Sequence, residues 1–163
     1  MLLSGRPSTN VDHVSHDSII RSAAQAVDIE NSYPYLGMTL SKDWIILIHQ
    51  DSASNFVQYT FRRSSDGSII RLEKDVLSGN HEIMNIAFDR SRYHNGLVDF
   101  DSSFFKNGYE LSMGGPTYFV FYDETGRRVG ETKLTLFVKP NPINEKVYKY
   151  LANQLIELIN TYS

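Results

Sequence analysis

A chain of 163 residues with 41% hydrophobic and 21% charged residues carries enough apolar material for a packed core, which excludes wholesale disorder. Its net charge of −3 leaves no basic footprint for bulk binding of nucleic acid. The absence of cysteine excludes disulfides, thiolate metal sites and a cysteine nucleophile.

The length fits one α+β domain over residues 1–163, with 1–11 as a polar loop or disordered start. A domain of this size buries roughly 68–70% of the surface its unfolded chain exposes, so neither metal nor disulfide is needed for folding. No apolar run approaches the roughly 20 residues of a helical membrane span, and the start of the chain as given lacks the apolar core of a signal peptide. Leu3-Ser4-Gly5 has the form of the residues before a lipidated bacterial cysteine, but Arg6 follows. Cytoplasm and periplasm are both compatible with a cysteine-free chain.

In chain order, Asp12 to Ile29 predicts a helix, with Val14, Ile19, Ile20, Ala23, Ala24 and Val27 on one stripe and Ser15 or Asp17 as N-cap. Tyr33, Pro34, Tyr35 and Gly37 break it. Trp44 to Ile48 is a continuous apolar run, the pattern of a strand buried on both faces. Val57, Tyr59 and Phe61 alternate with polar residues as in a half-buried strand, and Ser64 to Gly67 turns into a further strand at Ile69 to Leu72. Strands are expected at Ile83 to Phe88, Leu97 to Phe100 and Tyr109 to Met113, separated by Asn95-Gly96 and Lys106-Asn107-Gly108 turns. Thr117 to Tyr122 and Val129 to Val138 form the clearest hairpin. Asn141 as N-cap and Pro142 at the first helical position open a last helix. Ile143, Val147, Tyr150, Leu151, Leu155, Leu158, Ile159 and Tyr162 share one face of it. The expectation is a single, mainly antiparallel, meander-like sheet of about seven strands, flanked by an N-terminal helix and a longer C-terminal amphipathic helix.

The chemistry-bearing residues are sparse. His13-x-x-His16, beside Asp12 and Asp17, has a spacing at which two imidazoles share a helix face, but no third ligand or HExxH pattern accompanies it. His49 with Asp51, or His94 with Asp99, are the polar pairs that a pocket between sheet and helix would use. Asp99 and Asp101 fall on one side of a strand without the ligand spacing of a calcium loop. Ser103 to Lys106 matches S-x-x-K formally and lacks its companion motifs. Arg62/Arg63 and Arg127/Arg128 read as solvated residues beside turns, and Asp123-Glu124 as a solvated hairpin turn. No catalytic residue, cofactor site or metal site is assigned.

Ten Tyr, nine Phe and one Trp make 12% of the chain; many belong to the core, but Tyr33, Tyr35, Tyr93, Phe104, Phe105 and Tyr109 fall in loops or near turns, and Tyr is enriched at protein interfaces. The segment around Arg92, Tyr93 and His94, followed by Phe104 and Phe105, is the aromatic candidate for partner binding. Asp99, Asp101, Asp123 and Glu124 are the acidic candidates for meeting a basic cleft. The sequence thus points to a non-enzymatic protein-binding domain, of the character of small bacterial immunity proteins that neutralise a toxin by plugging its active site. The alternative is a small-molecule-binding protein or small enzyme with a pocket between sheet and helix. Self-association through the last helix or an open strand edge is a third outcome.

Overall fold

The computed structural model describes residues 14–78, 80–93, 117–134 and 144–163. Their order is α1 (His16–Ala26), β1 (Tyr35–Leu40), β2 (Trp44–Gln50), β3 (Phe56–Arg63), β4 (Ile69–Leu77), α2 (Glu82–Ala87), a 3-10 turn (Arg90–Arg92), β5 (Thr117–Tyr122), β6 (Arg128–Leu134) and α3 (Glu145–Tyr162). The strands form one antiparallel sheet in the order β4-β3-β2-β1-β5-β6. The fold is therefore α+β as expected, with six strands among the described residues rather than about seven.

The sheet is covered on both faces, which explains why its central strands are apolar without strict alternation. On one face α1 lays Ile19, Ile20, Ala23 and Ala24 against Tyr35, Ile45, Leu47, Tyr118 and Val120. Gly37 is required there: a Cβ at this position would lie 2.5 Å from Ile20 Cγ2, so the missing side chain lets the helix approach the strand. On the other face α2 and α3 cover Leu36, Met38, Ile46, Ile48, Phe119 and Phe121 with Met84, Val147, Leu151 and Leu155.

Four expectations need correction. Tyr35 and Gly37, read as helix breakers, lie within the strand β1 (Tyr35–Leu40), which pairs with both β2 and β5. Its hairpin to β2 turns at Ser41 and Lys42, both with left-handed backbone (φ 56° and 64°), a pair of conformations that suits strand twist. Ile83 to Phe88, read as a strand, is instead the helix α2, with Met84 and Ala87 buried one turn apart. His81 caps it, its Nδ1 accepting the Met84 N–H at 3.3 Å. Ile69 to Leu72 is only the first half of β4, which runs on through Glu73, Lys74 and Asp75 to Leu77. The last helix starts at Glu145 behind Asn144, whose Oδ1 accepts the Lys146 N–H at 2.9 Å. Asn141, Pro142 and the strands expected at 97–100 and 109–113 lie outside the described residues.

Candidate functional site

Of the residues expected to bind a partner, Arg92, Tyr93, Asp123 and Glu124 are described, and His94, Asp99, Asp101, Phe104 and Phe105 lie outside the described residues. The structure brings the described four into one neighbourhood. Arg90, just before Arg92, donates to Glu124 at 2.6 Å, tying the 3-10 turn to the β5–β6 turn. Tyr93 is turned inward: its ring packs edge-on against Phe121 at 4.9 Å, and its hydroxyl donates to the Ala87 carbonyl. Burial pushes its phenol well above the usual range. Arg92 lies 3.7 Å from the Asp89 carboxylate.

Asp123 departs from the solvated turn read from sequence. It is 5% exposed. Its Oδ1 accepts from Thr125 N, Thr125 Oγ1 and Arg127 N at 3.0, 2.6 and 3.0 Å, and its Oδ2 from Arg127 Nε at 3.2 Å. This carboxylate organises the turn, as aspartates at this position commonly do.

The described histidines likewise sit within the packed structure. His16 Nδ1 is 2.6 Å from Thr39 Oγ1, and the ring stacks on Tyr118 at 5.8 Å. His13 lies outside the described residues, and among the described residues no group of three potential metal ligands is found. Next to His16, Asp17 accepts from the Tyr122 hydroxyl, and Arg128 bridges toward Asp17 at 3.8 Å and Glu131 at 3.0 Å. Tyr118 donates to Glu131 at 3.0 Å. This polar clasp fastens the start of α1 to β5 and β6, with each carboxylate facing a cation or a phenol.

His49 is enclosed between Tyr33 and Tyr59, with ring centroids 5.0 and 5.9 Å away. Its Nδ1 has no hydrogen-bond partner among the described residues. Asp51 is occupied by its own turn, accepting from Ala53 N and Asn55 N. Burial lowers the His49 pKa, and the Asp51 charge offsets only part of that. The unfolded chain then takes up a proton near pH ~6.5 while the folded chain resists it. Stability held by neutral His49 is complete above that pH and is lost progressively as the pH falls toward the folded value. Accordingly, His49→Gln is expected to show a smaller loss of unfolding midpoint than wild type between about pH 7.5 and about pH 5.5. Parallel pH curves in urea melts would remove His49 as the source of that slope.

Two surfaces escaped the sequence reading. The first is β4, nine residues long, whose only described neighbour is β3 and whose side chains are largely exposed. Ile70 and Val76 are 47% and 68% exposed on it. A register shift opposite Thr60 and Phe61 bulges the strand, and Arg71, Glu73, Lys74 and Asp75 guard the edge with charge. At one end of β4 an open cleft of about 430 Å³ is lined by Asp43, Trp44, Arg62, Arg63 and Ile70. The Arg62 guanidinium sits 5.2 Å from the centre of the Trp44 ring.

The second surface is a small cleft of about 130 Å³ between β3–β4 and α3, lined by Thr60, Glu73, Gln154, Glu157, Leu158 and Thr161. It adjoins a buried polar link, in which Tyr150 donates to Gln58 Oε1 at 2.7 Å and Gln58 Nε2 donates to Gln154 at 2.8 Å. No described helix is long and apolar enough to cross a membrane.

These features define an α+β domain with an exposed edge strand and two surface clefts beside it. Comparison with protein-family models, with curated proteins and with solved structures finds no match to this chain.

Proposed function

We propose that the chain is a non-enzymatic protein-binding domain of the inhibitor or immunity type, which neutralises a partner protein by surface complementarity along β4. The observation that carries this reading is the exposed outer edge of β4, an unpaired row of backbone donors and acceptors among the described residues. Such an edge accepts an added strand from a partner, with alternate side-chain contacts supplying specificity. Ile70 and Val76 provide apolar contacts at its two ends. Beside it, Trp44 and Arg62 are residue types that dominate interface energetics. The charged bulge guards the edge against indiscriminate pairing and leaves it usable by a partner of matching pattern.

The test compares wild type with an Ile70→Lys/Val76→Lys double variant, each immobilised and exposed to lysate of the source organism. A partner held in stoichiometric amount by wild type and lost by the variant, at unchanged melting temperature, is the expected result. Equal retention by both proteins would remove β4 as the binding edge.

A further inference from the structure

We propose that the cleft between β4 and α3 receives a guanidinium group, presented by an arginine side chain of the partner protein. This assignment rests on the protein-binding reading and adds the chemistry of the contact.

Thr60 and Glu73 stand opposite each other across the β3–β4 ladder, so both side chains rise on the face that α3 covers. Gln154, Glu157, Leu158 and Thr161 complete the walls from one side of α3. Thr60 is 4% exposed, and its Oγ1 has no hydrogen-bond partner among the described residues. A buried hydroxyl is ordinarily satisfied, so an empty one lining a polar cleft marks the place of a missing donor or acceptor.

The walls identify that missing group as a donor. Glu73 uses Oε2 to accept from the Tyr162 hydroxyl at 2.9 Å. No cation pairs with Glu73 or Glu157 among the described residues. The nearby phenol of Tyr150 reports the same negative surroundings. Burial first, and then the charges of Asp75 and Glu157, push its pKa up.

Volume and valence narrow the guest. About 130 Å³ is far below the roughly 300–1,000 Å³ of pockets for whole small molecules, and suits the head group of a side chain. A calcium ion takes about six to eight oxygens with several carboxylates, whereas no group of three potential ligands forms among the described residues. An ammonium is compact and strongly hydrated. A guanidinium is weakly hydrated and spreads five donors over a planar fork. That fork can serve carboxylates on two walls and the Thr60 hydroxyl together.

The test is a titration of the full chain, followed by backbone amide NMR, with Nα-acetyl-arginine amide as probe. The citrulline and lysine analogues and calcium chloride are parallel arms. The expected result is saturable shifts at Thr60, Glu73, Glu157 and Thr161 with the arginine probe. Affinity should be roughly tenfold weaker with lysine, and the uncharged citrulline should have no effect. Glu157→Gln and Thr60→Val should each weaken the arginine response without lowering the melting temperature. No saturable shift at these amides up to the solubility of the probe overturns the site, as does equal response to citrulline, to lysine or to calcium. A failed titration beside a partner still captured through β4 removes the arginine contact alone. Saturation by the probe, with no partner lost in the β4 variant, would assign the cleft to a free guanidinium compound and overturn the partner assignment.

Discussion

Phe121→Ala is expected to destabilise the chain by about 3–5 kcal/mol, a large part of the roughly 5–15 kcal/mol that holds a typical domain together. Phe121 is 0% exposed. Its ring meets Phe88 and Tyr93 edge-on at 5.3 and 4.9 Å, a geometry that aromatic quadrupoles favour. Across the ladders its neighbours are Leu36 on β1 and Gly130 on β6. The glycine has no side chain to close over a lost ring, so the cavity would persist. Loss of the ring also removes the surface on which Tyr93 rests while its hydroxyl holds the Ala87 carbonyl. Urea denaturation should give a much lower midpoint at an unchanged slope. A loss of less than about 1 kcal/mol would mean that the α2 segment collapses into the space.

The second large effect is expected at Asp123. Replacing it by alanine removes the acceptor for Thr125 and Arg127, at a cost of about 1.5–3 kcal/mol for bonds to a charged group. Burial alone would raise the Asp123 pKa, but the hydrogen bonds from Thr125 and Arg127 outweigh it and hold the carboxyl below its ordinary value. The stability this gives is fully present above the unfolded value of about 3.9 and is lost as pH falls through the folded pKa. Asp123→Asn retains an acceptor oxygen and cannot titrate. Thermal melts from about pH 6 down to about pH 2 should therefore show a flatter acid limb for Asp123→Asn than for wild type. Coincident acid limbs would falsify the assignment of acid sensitivity to this carboxylate.

Periodic signals carried most of the architecture. The stripe from Val147 to Tyr162 led directly to α3, and the aromatic alternation of Thr117 to Tyr122 led to β5. Local signals failed where a tertiary partner decides the conformation. Gly37 reads as a breaker in isolation, yet its function is to admit Ile20 to the middle of the sheet. Ile83 to Phe88 is too short for its period to distinguish helix from strand, and packing against α3 decides it. Asp123 was legible as a turn residue, but its burial depends on hydrogen bonds that spacing alone does not reveal. The β4–α3 cleft was invisible for a different reason. Thr60 and Glu73 are brought to Glu157 and Thr161 only when the C-terminal helix crosses the sheet, so no motif spacing encodes them.

The position of β1 has a consequence for synthesis on the ribosome. Strands β1 to β4 pair with their neighbours in sequence and can assemble as soon as Leu77 has emerged, whereas Leu40 must wait for Thr117 before its second ladder forms. Non-local pairing of this kind is the slow part of β-rich folding. In the interval the nascent sheet has an open edge on each side, β4 on one and β1, whose six residues are all buried in the complete fold, on the other. The arrival of β5 closes the more hazardous of the two, so chains truncated before Thr117 should be markedly more aggregation-prone than the full protein.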